Sequence, residues 1–129
     1  MASDPKNIVR IEKFLTKVSH RVSLDEIQLN KVMVSLTEAV NNAIVHGNKA
    51  DPKKKVVIQC EVIPGWLLLM VNDQGRGFKP GGVKNPLKKE NLMRENGRGI
   101  FLMRTLMDRV EFERIKSGYQ VRLWLDLKK

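Results

Sequence analysis

The spacing of apolar residues changes from a helical period to strict alternation at Asp51-Pro52. Before this point apolar residues recur every three or four positions, which indicates amphipathic helices. After it apolar and polar residues alternate from Val56 to Val62, and Pro64-Gly65 marks a turn into a second strand, Trp66 to Asn72. The chain is therefore predicted to begin with helices and to continue as a β-hairpin.

Local signals set the bounds of the two helices. Pro5 is well placed at the first helical position and starts a helix that is predicted to reach about Arg21. Ser23 and Glu26 have the spacing of a capping box, which predicts the start of a second helix. This helix is predicted to continue until Gly47, the expected C′ residue.

The second half of the chain returns to a helix and then to strands. The glycine- and lysine-rich segment 73–98 is predicted to be a loop, and a third helix opens near Gly99. Two strands follow, at about Arg109–Ile115 and Tyr119–Leu127, and Trp66 and Trp124 are expected in the sheet core. The element order predicts an α+β two-layer sandwich, with a mixed, mostly antiparallel sheet covered on one face by about three helices. Residues 1–129 are expected to form a single domain.

Composition narrows the classes of function. The chain has no apolar run long enough to span a bilayer and no signal-peptide apolar region near its N-terminus, so a cytoplasmic location is expected. The 24 Lys and Arg residues against 14 Asp and Glu residues give a net charge of +10. These basic residues are dispersed and accompany no helix-turn-helix, zinc or RNA-binding pattern, so direct nucleic-acid binding is not expected.

Glu38 and Asn42 are the first pair of polar side chains that could take part in binding or catalysis. They are four residues apart within the second predicted helix, so both project from one face of it. Carboxylate and amide oxygens suit Mg²⁺, which takes one or two protein oxygens together with phosphates and waters. A solvated helix face is the alternative for such a pair, and Asn41 is a second amide within reach.

Two glycine-rich motifs follow the predicted strands. Asp73-Gln74-Gly75-Arg76-Gly77 comes directly after a strand, where glycines permit a sharp turn or a close approach to a flat ligand. Asn96-Gly97-Arg98-Gly99 comes where a helix begins, and free N–H groups at a helix N-terminus bind anions. Each motif alone is equally compatible with an ordinary glycine turn.

Taken together, the three motifs resemble the nucleotide site of the GHKL superfamily, which includes DNA gyrase, heat-shock chaperone ATPases, histidine-kinase catalytic domains and mismatch-repair ATPases. The segment Glu38-Ala39-Val40-Asn41-Asn42-Ala43-Ile44-Val45-His46-Gly47 is similar to the corresponding helix of bacterial anti-sigma-factor serine kinases. This resemblance covers about residues 8–127 and implies a GHKL ATPase/kinase fold with ATP and Mg²⁺ as cofactors.

The resemblance also implies roles for the residues at the phosphates. Asn42 would coordinate Mg²⁺, and Glu38 would be the general base toward the attacking hydroxyl. Gly97 and Gly99 would bring backbone N–H groups to the phosphates. Arg94 and Arg98 are candidate phosphate contacts.

At the other end of the nucleotide, Asp73 would accept a hydrogen bond from the adenine amino group, with Gly75 and Gly77 shaping the pocket. A flexible ATP lid would span about 78–96, and its many lysines could clamp phosphates or dock an acidic partner. Family members usually carry Gly-Thr in the last hairpin, whereas this chain has Gly118-Tyr119-Gln120 and so lacks that hydroxyl.

By resemblance, the chain is expected to phosphorylate a small antagonist protein on Ser or Thr and to bind a sigma factor in the alternate state of a partner switch that controls transcription. An ATP-binding regulatory module without phosphotransfer is the alternative, followed by a detached histidine-kinase catalytic domain and a basic nucleic-acid binder. Only residues 1–4 precede the first predicted helix, so the usual initial strand is expected to be absent, and a homodimer is left open.

Overall fold

A computed structural model of the chain describes residues 8–47, 51, 53–75 and 97–128. Helices and strands follow one another in the predicted order, which confirms an α+β fold. The helices are α1 (Ile8–Val22), α2 (Glu26–Asn42) and α3 (Gly97–Leu106), and the strands are β1 (Val57–Ile63), β2 (Trp66–Asn72), β3 (Arg109–Ile115) and β4 (Gly118–Asp126). None of the described helices combines the length and apolar character needed to cross a lipid bilayer.

The capping box that starts α2 is formed by Asp25 and Gln28. The Gln28 N–H donates to Oδ1 of Asp25 at 2.7 Å, and the Asp25 N–H donates to Oε1 of Gln28 at 3.0 Å. The prediction of a box at Ser23 and Glu26 was therefore wrong by two residues. Ser23 instead ends α1: its φ of 47° is left-handed, and its N–H donates to the Ser19 carbonyl at 3.0 Å.

The C-terminal end of α2 changes its helical pitch. The α-helix stops at Asn42, and Ala43–Gly47 continue as one turn of π-helix. The Ala43 N–H still donates to the carbonyls of Ala39 and Val40, so the wider turn begins after the α-helical bonding pattern. The prediction that the helix reaches about His46 is thus confirmed in extent, but Gly47 belongs to its last turn, which is wider than an α-helical one, and does not follow the helix as a C′ residue. Such π-turns occur often at functional sites.

The four described strands form one antiparallel sheet in the order β1-β2-β4-β3. β1 and β2 form a hairpin with Ile63 opposite Trp66, and β3 and β4 form another with Ile115 opposite Gly118. β2 pairs with β4 across the centre, with Leu69 opposite Leu123. β2, which directly precedes the Asp73 motif, is therefore central in the sheet, together with β4.

The core lies between the helices and one face of this sheet. Along β2, alternate side chains point to this face, and Leu67, Leu69 and Val71 are almost completely buried. Their partners on β4 are Leu125, Leu123 and Val121. The helices contribute the buried apolar residues Ile11, Leu15, Val18, Val32, Leu36, Ala39, Val40, Ala43, Ile44, Ile100 and Met103, and the core is completed by Val56 before β1 and Met107 after α3.

Trp66 and Trp124 lie on the opposite face of the sheet and not in this core. Their ring centroids are 6.0 Å apart in an edge-to-face arrangement, and both side chains are half-buried. The expectation of core tryptophans was wrong because the strand alternation that buries Leu67 turns Trp66 to the outer face. Leu68, opposite Trp124, is the buried apolar residue of this outer face.

A polar network covers the rest of the outer face. Arg122 donates to Oε1 of Glu111 at 3.2 Å and pairs with Glu113, and Arg109 pairs with Glu111 at 3.1 Å. The Trp124 indole N–H also donates to Glu111, at 2.7 Å. This indole and the neighbouring guanidinium groups hold the pKa of Glu111 below its usual value.

Candidate functional site

Glu38, Asn42 and Gly99 meet where the last turns of α2 face the first turn of α3. A β-carbon built on Gly99 would lie 2.7 Å from Oε2 of Glu38 and 3.5 Å from Nδ2 of Asn42. Gly99 is buried, whereas the side chains of Glu38 and Asn42 are half-buried. The structure therefore brings together three of the residues that the sequence motifs single out, from segments that are sixty residues apart.

The position of α3 explains this contact. The helix begins at Gly97 and packs on α2, with Ile100 and Met103 buried between the helices and the sheet. The N–H groups of its first turn have no intrahelical acceptor, and the helix dipole favours negative charge there. The Glu38 carboxylate thus lies beside an anion-attracting helix end. Only a residue without a side chain at position 99 leaves room for it.

The two asparagines of α2 differ in their surroundings. Asn42 lies next to Gly99, one turn beyond Glu38, whereas Asn41 is exposed to solvent. Residues three and four positions after Glu38 both lie near the same face of a helix, so the packing of α3 against α2 distinguishes the two amides. Asn42 is thus the amide that accompanies the carboxylate, and it is the one that the resemblance to anti-sigma serine kinases favours over Asn41.

Asp73 forms a second centre at the end of β2, and the sheet holds its backbone. Its N–H donates to the Tyr119 carbonyl at 2.9 Å, which extends the β2–β4 ladder by one pair. Its carboxylate accepts hydrogen bonds at Oδ1 from the N–H groups of Gly75 at 2.9 Å and Tyr119 at 3.1 Å. Within the described residues, both hydrogen bonds to this carboxylate arrive at Oδ1. The other oxygen, Oδ2, faces Gly47.

Burial raises the pKa of the Asp73 carboxyl, and the amides of Gly75 and Tyr119 and the charge of Lys54 only partly offset this effect. The residue is 7% exposed, so its charged form has lost most of its hydration. A buried carboxylate fixed by backbone amides is a rigid acceptor. It is suited to recognise a donor group on a ligand.

Three glycines surround Asp73 because no side chain fits beside it. A β-carbon on Gly47 would overlap Oδ2 of Asp73, and one on Gly118 would overlap its carbonyl oxygen. A β-carbon on Gly75 would overlap the Gly47 carbonyl oxygen. Gly75 was predicted from its motif, but sequence reasoning assigned Gly47 only to the helix end and Gly118 only to a hairpin. The signal that could have identified Gly118 was the comparison with the Gly-Thr that family members usually carry in the last hairpin.

Tyr119 takes part in this centre through its backbone. Its amide and its carbonyl bond to Asp73, so these contacts do not depend on the side chain at position 119. The missing threonine hydroxyl therefore leaves the position of the carboxylate unchanged.

The π-helical turn Ala43–Gly47 connects the two centres. Asn42 precedes the turn and lies beside Gly99, and Gly47 ends the turn and lies against Asp73. One end of the site is therefore a carboxylate and an amide at a helix N-terminus, and the other end is a buried acceptor. Such an arrangement suits a ligand with an anionic tail and a flat head that carries a hydrogen-bond donor.

Some predicted site residues fall outside the part of the chain that the structure describes. These are Gly77, Arg94 and the lid at about 78–96. Gly97 and Arg98 are the first two residues of α3, so the helix begins two residues before the predicted start near Gly99.

Two solved structures that resemble the chain are histidine kinases. The histidine kinase domain of the blue-light-activated kinase EL346 from Erythrobacter litoralis matches with a TM-score of 0.61 at 17% identity, over 99% of this chain and 62% of that one. A second structure of this kinase matches with a TM-score of 0.64 at 18% identity, over 91% of this chain and 40% of that one. The chain thus spans less than two thirds of either protein, and the likeness confirms the predicted fold.

Curated relatives are more similar in sequence. The serine-protein kinase RsbW of Bacillus licheniformis is 29% identical over 91% of this chain and 76% of its own length. The serine-protein kinase RsbW of Staphylococcus epidermidis is 32% identical over 83% of this chain and 70% of its own length. The anti-sigma F factor of Oceanobacillus iheyensis is 33% identical over 80% of this chain and 69% of its own length. These relatives confirm the predicted kinship with anti-sigma serine/threonine protein kinases.

The family model described as histidine kinase-like ATPase domain matches residues 1–125. The match includes both centres of the site and the segment between them. The chain therefore belongs to the histidine kinase-like ATPase domain family.

Proposed function

We propose that the chain is an anti-sigma-type protein serine/threonine kinase, which binds Mg-ATP and transfers the γ-phosphoryl group to a hydroxyl of a small antagonist protein. A sigma factor is the partner proposed for the alternate state. The observation that carries the proposal is the contact of the Glu38 carboxylate with the first turn of α3, at Gly99. A proton acceptor beside an anion-binding helix end is what phosphoryl transfer to a hydroxyl needs.

The phosphates of ATP are proposed to bind at the N-terminus of α3. Backbone N–H groups at Gly97, Arg98 and Gly99 would donate to them, as helix N-termini do for anions. Arg94 is proposed as a further phosphate contact. The burial of Gly99 supports this arrangement, because a side chain there would fill the space between the helix end and Glu38.

Asn42 is proposed to hold the magnesium ion. Its amide lies beside Gly99, and Mg²⁺ fits a site with few protein ligands because phosphates and waters complete its coordination. When bound, magnesium would neutralise charge on the β- and γ-phosphates.

Glu38 is proposed to take the proton of the substrate hydroxyl. As the hydroxyl oxygen forms its bond to the γ-phosphorus, the bond from that phosphorus to the β,γ-bridging oxygen breaks, and ADP leaves. The proton passes to a carboxylate oxygen of Glu38. Because the carboxylate is half-buried and not enclosed, an incoming protein side chain can reach it.

Asp73 is proposed to accept a hydrogen bond from the adenine amino group. Oδ1 is already engaged by two backbone amides, and this fixes the orientation of the carboxylate. Gly75 and Gly77 are proposed to shape the pocket, together with Gly47 and Gly118, whose lack of side chains leaves space around Asp73. The segment at about 78–96 is proposed to close over the nucleotide.

The first experiment separates nucleotide binding from transfer. Calorimetric titration with Mg-ATP should give saturable binding to the wild type and a loss of about tenfold or more in Asn42→Ala. The matched control is Asn41→Ala, which changes the exposed neighbouring amide. Equal loss in both variants, or no binding by the wild type, would contradict the proposed site.

The second experiment tests transfer. With ATP labelled at the γ-phosphate, the wild type should label a Ser or Thr of an antagonist protein. The Glu38→Gln variant should bind ATP but should label the antagonist at least about a hundredfold more slowly. Tight ATP binding without labelling of any candidate antagonist would instead assign the chain to the class of ATP-responsive binding modules. Undiminished labelling by Glu38→Gln would remove the general base from the proposal.

A further inference from the structure

Asp73 and Tyr119 lie side by side at the end of the two central strands. The register of β2 and β4 ends with the pair Asn72 and Gln120, and the Asp73 N–H donates to the Tyr119 carbonyl at 2.9 Å, which adds one more pair. The Asp73 carboxylate faces Gly47, so it lies on the face of the sheet that the helices cover. Opposite side chains of an antiparallel pair share a face and have β-carbons about 4.5–5.5 Å apart. The ring of Tyr119 therefore begins next to this carboxylate.

The helix-covered face of β4 is less buried at this end of the sheet. Leu125 and Leu123 are almost completely buried, whereas Val121 and Tyr119, further along the same face, are half-buried. The change occurs towards Asp73, where glycines and not side chains surround the carboxylate. The end of β4 thus presents accessible apolar surface beside a buried hydrogen-bond acceptor.

The backbone contacts of Tyr119 do not require an aromatic side chain. Its N–H donates to Oδ1 of Asp73 at 3.1 Å and its carbonyl accepts from the Asp73 N–H, and every residue except proline has both groups. Tyrosine is favoured in strands, and Arg114 lies opposite it on β3, so a purely structural role is the alternative. Because the residue is only half-buried, part of its surface remains uncovered beside the carboxylate. A flat ligand that donates to Asp73 would cover this surface.

We propose that the phenol ring of Tyr119 is one wall of the base pocket and packs against the flat head of the nucleotide. This inference rests on the proposed function and deepens it, because it adds a side chain to a pocket otherwise described by a carboxylate and glycines. Asp73 would recognise the edge of the base, and the Tyr119 ring would supply affinity for any flat aromatic head. Removing such a ring weakens the binding of a nucleobase by about 5- to 150-fold.

The first test observes the ring itself. Tyr119 is the single tyrosine of the chain, so the full chain made with 3-fluorotyrosine gives one fluorine resonance. Saturating Mg-ATP should shift this resonance, because the ring current of a purine acts at close range. Magnesium tripolyphosphate, which carries the phosphates without a base, should leave it in place. A resonance that does not move with Mg-ATP, or that moves equally with tripolyphosphate, would overturn the inference.

The second test measures the affinity for Mg-ATP by calorimetry. Tyr119→Ala should weaken binding by about tenfold or more, whereas Tyr119→Phe, which keeps the ring, should stay within about twofold of the wild type. Gln120→Ala is the matched control, since this neighbouring side chain lies on the other face and donates to Asn72 at 2.8 Å. It should also stay within about twofold. If Tyr119→Ala does not fold, Tyr119→Leu retains the apolar volume without the flat ring and should show the same loss.

The outcomes separate this inference from the kinase proposal. Failure of the wild type to bind Mg-ATP would overturn both. Binding by the wild type together with unchanged affinity in Tyr119→Ala would overturn the role of the ring and leave the kinase proposal intact. An equal loss in Tyr119→Phe and Tyr119→Ala would assign the contact to the hydroxyl and would also overturn the inference. An equal loss in Gln120→Ala would mean that any truncation at the end of β4 disturbs the pocket, which contradicts a specific role for the ring.

Discussion

Gly99 of α3 lies directly against Glu38 of α2, so that a β-carbon at position 99 would be 2.7 Å from the carboxylate oxygen Oε2. This distance is well inside van der Waals contact, and one of the two groups would have to move. The glycine therefore determines where the carboxylate can lie relative to the start of α3. The proposed proton acceptor and the proposed phosphate cradle are linked through this one contact.

Replacing Gly99 by alanine should separate stability from activity. Alanine favours a helix by about 0.5–1 kcal/mol over glycine, so the variant should remain folded. The new methyl group should displace the Glu38 carboxylate and slow phosphotransfer by about 10- to 100-fold. Rates with γ-labelled ATP, alongside thermal unfolding, would measure both effects. Thr105→Ala, an exposed change on the same helix, is the control. Full activity in Gly99→Ala would show that the contact is not needed.

The stability of the protein should depend on the titration of Asp73. Burial raises the native pKa of this carboxyl above its ordinary value of about 3.9. At pH values between these two pKa values, the native state therefore binds more protons than the unfolded chain. The free energy of unfolding contributed by this group should therefore be greatest below the ordinary value and fall as the pH rises through the native pKa. Asp73→Asn should remove this fall while keeping an oxygen acceptor for Gly75 and Tyr119. Urea unfolding between about pH 3 and pH 8 measures the difference.

Asp73→Asn should also weaken nucleotide binding. The new amide group would present a donor where an acceptor is proposed to meet the adenine amino group. The affinity for ATP should fall by about 10- to 100-fold, since a buried polar group is left unpaired. Asp126→Asn is the control, because Asp126 accepts a backbone N–H from Lys128 outside the site. Unchanged affinity in Asp73→Asn would argue against the proposed base contact.

Gly118→Ala should destabilise the end of the sheet. Its β-carbon would overlap the carbonyl oxygen of Asp73, a backbone atom that cannot swing aside as a side chain can because the Asp73 N–H is bonded to Tyr119. The expected loss is about 1–3 kcal/mol in the free energy of unfolding, together with weaker ATP binding. Ser117→Ala, in the exposed turn just before it, should change stability by less than about 0.5 kcal/mol. Similar values for the two variants would contradict the crowding at Asp73.

Ser35→Ala should stabilise the protein. The Ser35 hydroxyl is fully buried in α2 and has no hydrogen-bond partner among the described residues. Removing an unpaired buried hydroxyl and gaining helix propensity should add about 1 kcal/mol or more to the free energy of unfolding. Thr16→Ala changes an exposed residue of α1 and serves as the control for helix propensity. It should raise the free energy of unfolding by only about 0.5 kcal/mol or less. A net loss for Ser35→Ala would mean that the hydroxyl is hydrogen-bonded in solution.

Local sequence patterns were sufficient to predict most of the fold. The strands Trp66–Asn72 and Arg109–Ile115 match their predicted bounds, because turn residues flank each of them clearly. The capping box was displaced from Ser23 to Asp25 because two nearby segments have the same spacing of donors and acceptors. Which of two competing caps forms depends on how α1 ends, and this is set by tertiary packing.

The site was predicted only in part. The pairing of Glu38 with Asn42 follows from the helix period, which sequence reasoning can use directly. The crowding of Gly47 and Gly118 around Asp73 could not be predicted, because it joins three segments through the sheet register and the π-turn. Alternation along β2 also specified two faces, but it did not by itself say which face the helices cover. For this reason Trp66 and Trp124 were assigned to the wrong side.

The location of Trp66 and Trp124 has an optical consequence. They are the two tryptophans of the chain, and their indoles touch edge to face on the side of the sheet away from the helices. Intrinsic tryptophan fluorescence therefore reports on that surface and on the neighbouring Glu111, not on the cleft beside α2. A molecule that binds next to the indoles would change this fluorescence directly. A molecule bound between α2 and α3 would change it only by deforming the strands.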